Sequence, residues 1–157
     1  MIEKNKIFKN NHPLNYKIKN KTNTVPISQN YNDIQLSASS AFFLFDIVRK
    51  NKLEFDPTVK PNFEDGKFIS EYLLSISNGD VCFIDEAKYI YIKREDGTST
   101  LDTSWQRVER YTDVFENGYI NLLKKTADKY TIIPKYIQRA VLYELFWYIK
   151  HLVKKPE

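Results

Sequence analysis

The last third of the chain constrains the fold most, because it carries two long helical patterns and the second is apolar on more than one face. The first pattern predicts a helix from about Thr103 to Lys129. The second begins near Pro134, a favourable residue for a first helical turn, and runs to about Val153. A helix that is apolar over more than one stripe needs a second partner surface. The pattern therefore predicts a two-helix C-terminal extension over residues 102–157.

Two shorter helices are predicted upstream of this extension. Ser39 and Ser40 can cap a helix over about 41–50, with Phe42 and Phe45 on its apolar face. The second helix follows Asn62-Phe63-Glu64-Asp65-Gly66, because apolar residues recur there every four positions, at Phe68, Tyr72 and Ile76.

Three short segments have the composition of β-strands, with β-branched and aromatic residues at 34–37, 81–84 and 89–93. Strands mixed with helices predict an α/β fold with a small mixed sheet. An incomplete sheet would leave an exposed edge or an apolar patch, which favours self-association.

The net charge of the 157-residue chain is +4, and its location is more informative than its size. Residues 1–30 contain six lysines and one glutamate, so they carry a net charge of +5 and the rest of the chain −1. Prolines interrupt this stretch, which predicts a loop-rich basic N-terminal segment. A nucleic-acid surface needs Lys and Arg grouped on a folded face, and the body of the chain has no such group. Nucleic acid is therefore not an expected partner.

The apolar runs and the cysteine content of the sequence indicate in which cellular compartment the protein is found. It has no run of about 18 apolar residues, and its first residues lack the apolar run of a secretory signal, so we expect a cytoplasmic protein. Cys82 is the only cysteine, so an internal disulfide cannot form, and with two histidines it cannot build a structural zinc site. Its neighbours Val81, Phe83 and Ile84 are apolar, which predicts a buried, inert thiol.

Two adjacent carboxylates, Glu64 and Asp65, stand at the start of a predicted helix. Acidic groups there interact favourably with the helix dipole and the free amide groups, by about 0.3–1 kcal/mol each. A general base needs a carboxylate that is fixed, ionised and directed into a cleft. A helix start provides the first two conditions, so the residue types leave a structural and a catalytic role open.

A second polar group follows the strand predicted over 89–93. Arg94 comes first, then a turn at Glu95-Asp96-Gly97 in which the glycine can take a positive φ, then the hydroxyl residues Thr98, Ser99 and Thr100. An arginine offers a planar fork that suits a diphosphate or a carboxylate. The alternative is a surface ion pair between Arg94 and one of the acids that follow it, which contributes little to stability.

Several short motifs occur in one order along the chain. They are Phe63-Glu64-Asp65-Gly66-Lys67-Phe68, Tyr89-Ile90-Tyr91, and Arg94 with Gly97-Thr98-Ser99-Thr100, together with His12-Pro13-Leu14-Asn15-Tyr16-Lys17 and Pro134-Lys135-Tyr136-Ile137-Gln138. This order resembles the C-terminal, acceptor-binding half of family 2 glycosyltransferases of the GT-A type. The resemblance covers nearly the whole chain and is strongest to bacterial teichoic-acid and capsule polymer enzymes.

The resemblance implies a role for each polar group. The aspartate of the family's Glu-Asp pair is the general base, so Asp65 would be catalytic and Glu64 would bind the acceptor. Arg94, Thr98, Ser99 and Thr100 would lie near the leaving diphosphate. The implied fold is a partial GT-A (nucleotide-diphospho-sugar transferase) fold, with residues 31–101 as its acceptor-side half. The implied function is part of an inverting transfer of a sugar from a nucleotide-sugar to an acceptor hydroxyl in cell-surface polysaccharide synthesis.

The chain departs from this family in lacking the half that binds the nucleotide. It has no Asp-x-Asp motif and no glycine-rich phosphate loop, and Glu54-Phe55-Asp56 is not assigned to a metal. The complete enzyme is expected to use Mn²⁺ or Mg²⁺, whereas no metal site is predicted for this chain alone. We therefore expect the isolated chain to be inactive. Three interpretations stay open: a fragment of a longer protein with an upstream domain, a truncated reading frame, or a subunit that a partner chain completes.

The alternative is a non-catalytic interaction module that keeps the fold and binds a partner protein or a membrane surface. The apolar surface of 134–153 favours this reading. The cations Lys150, His151, Lys154 and Lys155 suit an anionic membrane at the inner face of the plasma membrane, although cations also suit the end of a helix dipole.

Overall fold

The structure is a computed structural model that describes residues 23–29, 32–33, 35–76, 78–87, 89–90 and 103–153. Four α-helices and a two-stranded sheet form most of the regular structure in this range. In chain order the elements are β1 (Asn23–Pro26), α1 (Phe45–Asn51), α2 (Glu64–Ser75), β2 (Asp80–Phe83), α3 (Asn121–Lys129) and α4 (Lys135–Val153), and a π-helical segment, Val114–Ile120, lies directly before α3. The predicted combination of helices with a small sheet is confirmed, and the GT-A assignment stays a prediction.

The sheet differs from the predicted one. β1 and β2 pair antiparallel, from Asn23 opposite Phe83 to Pro26 opposite Asp80, so the predicted mixed sheet is wrong for the described residues. β1 lies inside the segment that was predicted to be loop. Residues 35–37 form no strand, because they lead into a 3₁₀ turn at Ala38–Ser40. Residues 89–90 form no strand either, and 91–93 lie outside the described residues.

Cys82 is exposed, so the prediction of a buried thiol is wrong. Successive residues of a strand point to opposite faces. Asp80 and Cys82 face outward, whereas Val81 and Phe83 are half-buried. A sheet of only two strands leaves one face of β2 open to solvent, and the thiol lies on that face.

Helix α1 begins four residues later than predicted. The residue that contacts the core in this region is Phe43, which precedes the helix. The backbone is extended at Ala41 and at Leu44, which places Phe43 toward the core. The Phe43 ring packs edge-on against Phe68 and Tyr72, at centroid distances of 5.2 and 5.0 Å. Phe42 and Phe45, predicted to pack, are exposed instead.

Helix α2 is the centre of the described structure. Its apolar residues Phe68, Ile69, Tyr72, Leu73 and Leu74 are all buried. They contribute to a core that also includes Ile27, Val59, Phe63, Val114, Leu122 and Ile137. Elements from before and after α2 therefore pack on it, and its N-terminus is held from several sides.

The helix predicted from about Thr103 to Lys129 is interrupted in its first part. The backbone of Arg107 is extended and separates two 3₁₀ turns, Ser104–Gln106 and Val108–Arg110. Continuous helix begins only with the π-helical segment and runs on as α3. A π-helix is rare, and Gly118 within this one lies close to the Phe63 ring.

Helix α4 matches the prediction in both position and length. It buries Tyr136, Ile137, Ala140, Val141 and Tyr148. A second apolar set stays exposed, namely Leu142, Tyr143, Phe146, Ile149, Leu152 and Val153. Across the described residues, no helix has both the length and the apolar character that crossing a lipid bilayer requires.

Candidate functional site

Phe63 fixes the position of the Glu64–Asp65 pair at the first turn of α2. Its backbone has φ 75°, a left-handed conformation that is unfavourable for an aromatic residue. Its buried ring fills the space next to two glycines: a Cβ on Gly66 would lie 2.7 Å from the ring, and one on Gly118 would lie 3.1 Å from it. The ring also packs on Tyr119 at a centroid distance of 4.6 Å. A strained backbone persists only where surrounding contacts over-determine it, and these contacts do so.

Replacing Gly66 with alanine is expected to destabilise the chain. Alanine is the better helix former by about 1 kcal/mol, but overpacking against a buried ring costs about 1–3 kcal/mol. We expect a net loss of about 1–2 kcal/mol in the free energy of unfolding, measured by urea denaturation. Asp128→Ala, on an exposed position of α3, is the control and should be nearly neutral. A Gly66→Ala variant more stable than the parent would contradict this account of the Phe63 ring.

Asp65 is half-buried and is held by the backbone of a distant segment. The amide N–H of Ala38 donates a hydrogen bond to Asp65 Oδ2 at 2.9 Å. This contact fixes the start of the 3₁₀ turn at Ala38–Ser40, which directly follows the segment predicted to be a strand. The carboxylate therefore has one oxygen anchored, and its position relative to α2 is fixed.

Glu64 is half-buried like its neighbour, but one of its carboxyl oxygens lies inside the protein. Its Oε2 atom is buried and has no hydrogen-bond partner. Burial raises the pKa of Glu64, its own backbone amide lowers it, and the nearby charge of Asp65 raises it further, against a smaller opposing effect of Lys60. The two carboxyl groups of the pair therefore have different environments although they are adjacent in sequence.

Lys67, the fourth residue of α2, forms an ion pair that sequence reasoning missed, and its own side chain is buried. Its ammonium group donates to Asp56 Oδ2 at 2.5 Å and to the carbonyl of Asn117 at 2.8 Å. Burial opposes ionisation of Asp56, but hydrogen bonds from Lys67 and Thr58 outweigh it and hold the pKa of Asp56 at about 2. The signal in the sequence was a lysine on the otherwise buried face of α2. Asp56 thus ties the preceding loop to α2, and Asn117 ties the π-helical segment to it.

Sequence reasoning also missed two charged residues that interact electrostatically, Arg110 and Glu144. The Arg110 guanidinium lies 3.5 Å from the centroid of the Trp105 ring and donates to Ser104 Oγ at 2.7 Å. Burial raises the pKa of Glu144 to about 7, against the opposing charge of Arg110 and with a further contribution from Glu64. The sequence signal was a single acid in α4 at the spacing of its buried residues Val141 and Tyr148.

The predicted partners of Asp65 in the substrate loop, Arg94, Thr98, Ser99 and Thr100, lie outside the described residues. Within the described ranges, no three Cys, His, Asp or Glu side chains are grouped as potential metal ligands. A groove of about 380 Å³ follows the π-helical segment on the side of Phe115, Glu116 and Lys124, and neither Glu64 nor Asp65 lines it.

Comparison with known proteins gives one informative similarity. No protein-family profile matches the chain, and no solved structure matches it. The chain is 30% identical over 134 residues to the minor teichoic acid biosynthesis protein GgaA of Bacillus subtilis (strain 168). The similarity covers 85% of this chain and 29% of that relative, so the chain spans less than a third of the relative's length. The predicted relationship to teichoic-acid proteins is thus confirmed, and most of this chain is related to one part of a protein of teichoic acid biosynthesis.

Proposed function

We propose that this chain is the acceptor-side part of an inverting glycosyltransferase that acts in cell-surface polysaccharide synthesis. The observation that carries the proposal is the fixed Asp65 carboxylate, held by the Ala38 amide at the start of α2 beside Glu64. The similarity to a teichoic acid biosynthesis protein supports the same class of function. Because the chain spans 29% of that relative, the activity is assigned to a larger assembly in which this chain takes part.

In this proposal Asp65 is the general base. One oxygen of its carboxylate accepts the Ala38 N–H, which leaves the other oxygen for the acceptor. It takes the proton of the acceptor hydroxyl as that oxygen forms a bond to the anomeric carbon of the nucleotide-sugar. The bond from the anomeric carbon to the diphosphate oxygen breaks on the opposite face, and the nucleoside diphosphate leaves with the electron pair. A fixed base of this kind contributes about 10²–10⁴-fold in rate.

The departing diphosphate needs positive groups, and we assign Arg94 with Thr98, Ser99 and Thr100 to its neighbourhood. A divalent ion, Mn²⁺ or Mg²⁺, would supply further charge stabilisation in the complete enzyme. The residues described here form no group suited to hold such an ion, so no step proposed for this chain passes through it.

Turnover by the complete protein tests the proposal. The chain is expressed with its upstream coding region, and release of nucleoside diphosphate is measured with a panel of nucleotide-sugars, Mn²⁺ or Mg²⁺, and a polyol or sugar acceptor. We expect release that depends on the acceptor and a product with inverted anomeric configuration. The isolated chain should give no turnover. A product with retained configuration would contradict the inverting mechanism.

A second candidate function is a non-catalytic module that binds a partner protein or a membrane surface. The exposed apolar residues of α4, such as Phe146 and Ile149, favour it. Replacing both with serine would abolish binding to such a partner but would leave acceptor-dependent turnover unchanged. A loss of turnover with unchanged folding would instead connect this face to the enzyme.

A further inference from the structure

We propose that an exposed apolar surface beside Asp65 is the docking surface for the part of the assembly that holds the nucleotide-sugar. This surface, the donor-side patch, consists of Phe42, Leu44, Phe45 and Phe55. The inference rests on the proposed function, because the proposed reaction requires such a part to meet Asp65.

Three side chains of α2 define the face of the helix on which the patch lies. Asp65, Phe68 and Tyr72 are three and four residues apart, so they lie on the same side of the helix. Along the helix axis, Phe68 is about 5 Å and Tyr72 about 10 Å from Asp65. A chain segment that contacts this face therefore runs directly beside the carboxylate.

The chain that leads into α1 makes these contacts. The amide N–H of Ala38 donates to Asp65 Oδ2 at 2.9 Å, and that of Leu44 donates to the phenol oxygen of Tyr72 at 3.0 Å. Between these two anchors, the Phe43 ring packs edge-on against the ring of Tyr72 at a centroid distance of 5.0 Å. The backbone of this segment is thus held against α2 at both ends.

The other apolar side chains of this region are exposed although the backbone that carries them is held. Phe42, Leu44 and Phe45 are 95%, 68% and 72% exposed. Phe55 stacks on Phe68 at a centroid distance of 4.4 Å and is itself 51% exposed. Grouped apolar side chains that stay in water indicate an interaction site.

The proposed reaction determines which partner covers the patch. Reacting atoms must approach to about 3–3.5 Å, so the sugar donor must lie next to the acceptor hydroxyl that Asp65 deprotonates. The part that holds the donor must therefore sit beside the patch, within two helical turns of Asp65. The patch contains no charged side chain, so it suits an apolar protein surface and not the charged nucleotide-sugar itself. Covering it also excludes water from the reacting atoms.

The relative has enough additional chain to contain such a part. This chain spans 29% of the length of GgaA, so most of that protein lies outside the region of similarity. We call the protein expressed with the upstream coding region the longer protein, and we assign the donor-holding part to it.

Oxidation of side chains by hydroxyl radicals, read out by peptide mass spectrometry, tests the docking surface. The isolated chain is compared with the longer protein. We expect Phe42 and Phe45 to be oxidised at least about fivefold more slowly in the longer protein, because the core of an interface excludes water. Phe146, which is 55% exposed on α4, is the reference and should react at the same rate in both proteins.

Four other outcomes of this experiment would overturn the inference. The first is equal oxidation of Phe42 and Phe45 in both proteins, whether or not the longer protein shows turnover. The second is slow oxidation already in the isolated chain together with a dimeric mass, which would assign the patch to a second copy. The third is slowing only by phosphatidylglycerol vesicles, which would assign it to a lipid surface. The fourth is slowing of Phe146 alone, which would place the docking surface on α4.

The same measurement separates this inference from the proposed function. Slow oxidation of the patch in a longer protein that shows no turnover would support the docking surface and refute the proposed activity. Turnover with a fully reactive patch would support the activity and refute the docking surface.

The double substitution Phe42→Ser with Phe45→Ser measures what docking contributes to turnover. Both side chains are exposed, so the urea midpoint of the isolated chain should not change. In the longer protein, acceptor-dependent turnover should fall about tenfold, because the donor-holding part is bound less tightly beside Asp65. Phe42→Leu with Phe45→Leu keeps the surface apolar and should restore most of the rate. Unchanged turnover in the serine variant would contradict the inference.

Discussion

Replacing Asp65 with asparagine is expected to lower turnover of the complete enzyme by about 10²–10⁴-fold. The amide oxygen of asparagine can still accept the Ala38 N–H, so the loop at Ala38–Ser40 should keep its position. An amide cannot take up a proton from the acceptor hydroxyl. The substitution therefore separates proton transfer from structure, and the free energy of unfolding should change by less than about 1 kcal/mol.

The matched control for this prediction is Asp128→Asn. Asp128 lies on an exposed position of α3, where the same change of charge should leave turnover within about twofold of the parent. Initial rates with saturating donor and acceptor measure the effect on kcat. If Asp65→Asn retained more than half of the parent rate, the assignment of the base would be wrong.

Replacing Lys67 with methionine is expected to cost about 2–4 kcal/mol of stability. Removing one partner of a buried ion pair costs about 3–5 kcal/mol, and partial exposure of Asp56 reduces this figure. The Asn117 carbonyl also loses its donor. Because both contacts hold the first turns of α2, the Glu64–Asp65 pair should also become less well ordered. Urea denaturation measures the loss of stability.

The control is Lys125→Met, which removes an exposed ion pair with Glu71 at 3.0 Å. Such surface pairs contribute about 0–1 kcal/mol, so the two lysine variants should differ by several-fold in effect. Equal effects of the two substitutions would contradict the importance of burial at Lys67.

Acid denaturation provides a second measurement of the Asp56–Lys67 pair. The pKa of Asp56 is lowered from 3.8 to about 2, so its contribution to stability is fully present above about pH 4. That contribution is lost as the pH falls through about 2. In Lys67→Met the pKa of Asp56 should return toward its ordinary value, and stability should depend less on pH in this range.

Local sequence patterns were sufficient to predict the longer helices. The four-residue spacing of Phe68, Tyr72 and Ile76 predicted α2, and the apolar pattern after Pro134 predicted α4 nearly to the residue. Both helices bury a face whose period is visible in the sequence. The position of the Glu64–Asp65 pair at the start of α2 followed directly from the first of these patterns.

Features that depend on distant partners were not predictable in this way. The strand pairing failed because β1 lies in a polar, proline-containing segment that gave no strand signal. The helix before α3 was predicted as continuous because a periodic pattern does not reveal the extended backbone at Arg107. Cys82 was expected to be buried because an apolar neighbourhood in sequence does not indicate which face of a strand is covered.

The same difference between local patterns and distant partners applies to the residues of the candidate site. Asp65 and Glu64 were identified by position and resemblance, and their catalytic and acceptor roles stay predictions. Lys67 and Glu144 were missed because a single charge within an apolar helix has a partner only in three dimensions. The structural cause at Lys67 is that its partner, Asp56, comes from an irregular segment whose path no periodic pattern describes.

The four residues from 64 to 67 are organised by chain segments that are synthesised at very different times. Ala38 precedes Asp65 by 27 positions, and Asn117 follows Lys67 by 50. On the ribosome, the segment from 64 to 67 therefore stays incomplete until the π-helical segment has emerged, and a product released before residue 117 carries the Glu-Asp pair without the Asn117 contact. Transferring this tetrapeptide to another scaffold would fail for the same reason, since its order comes from long-range contacts.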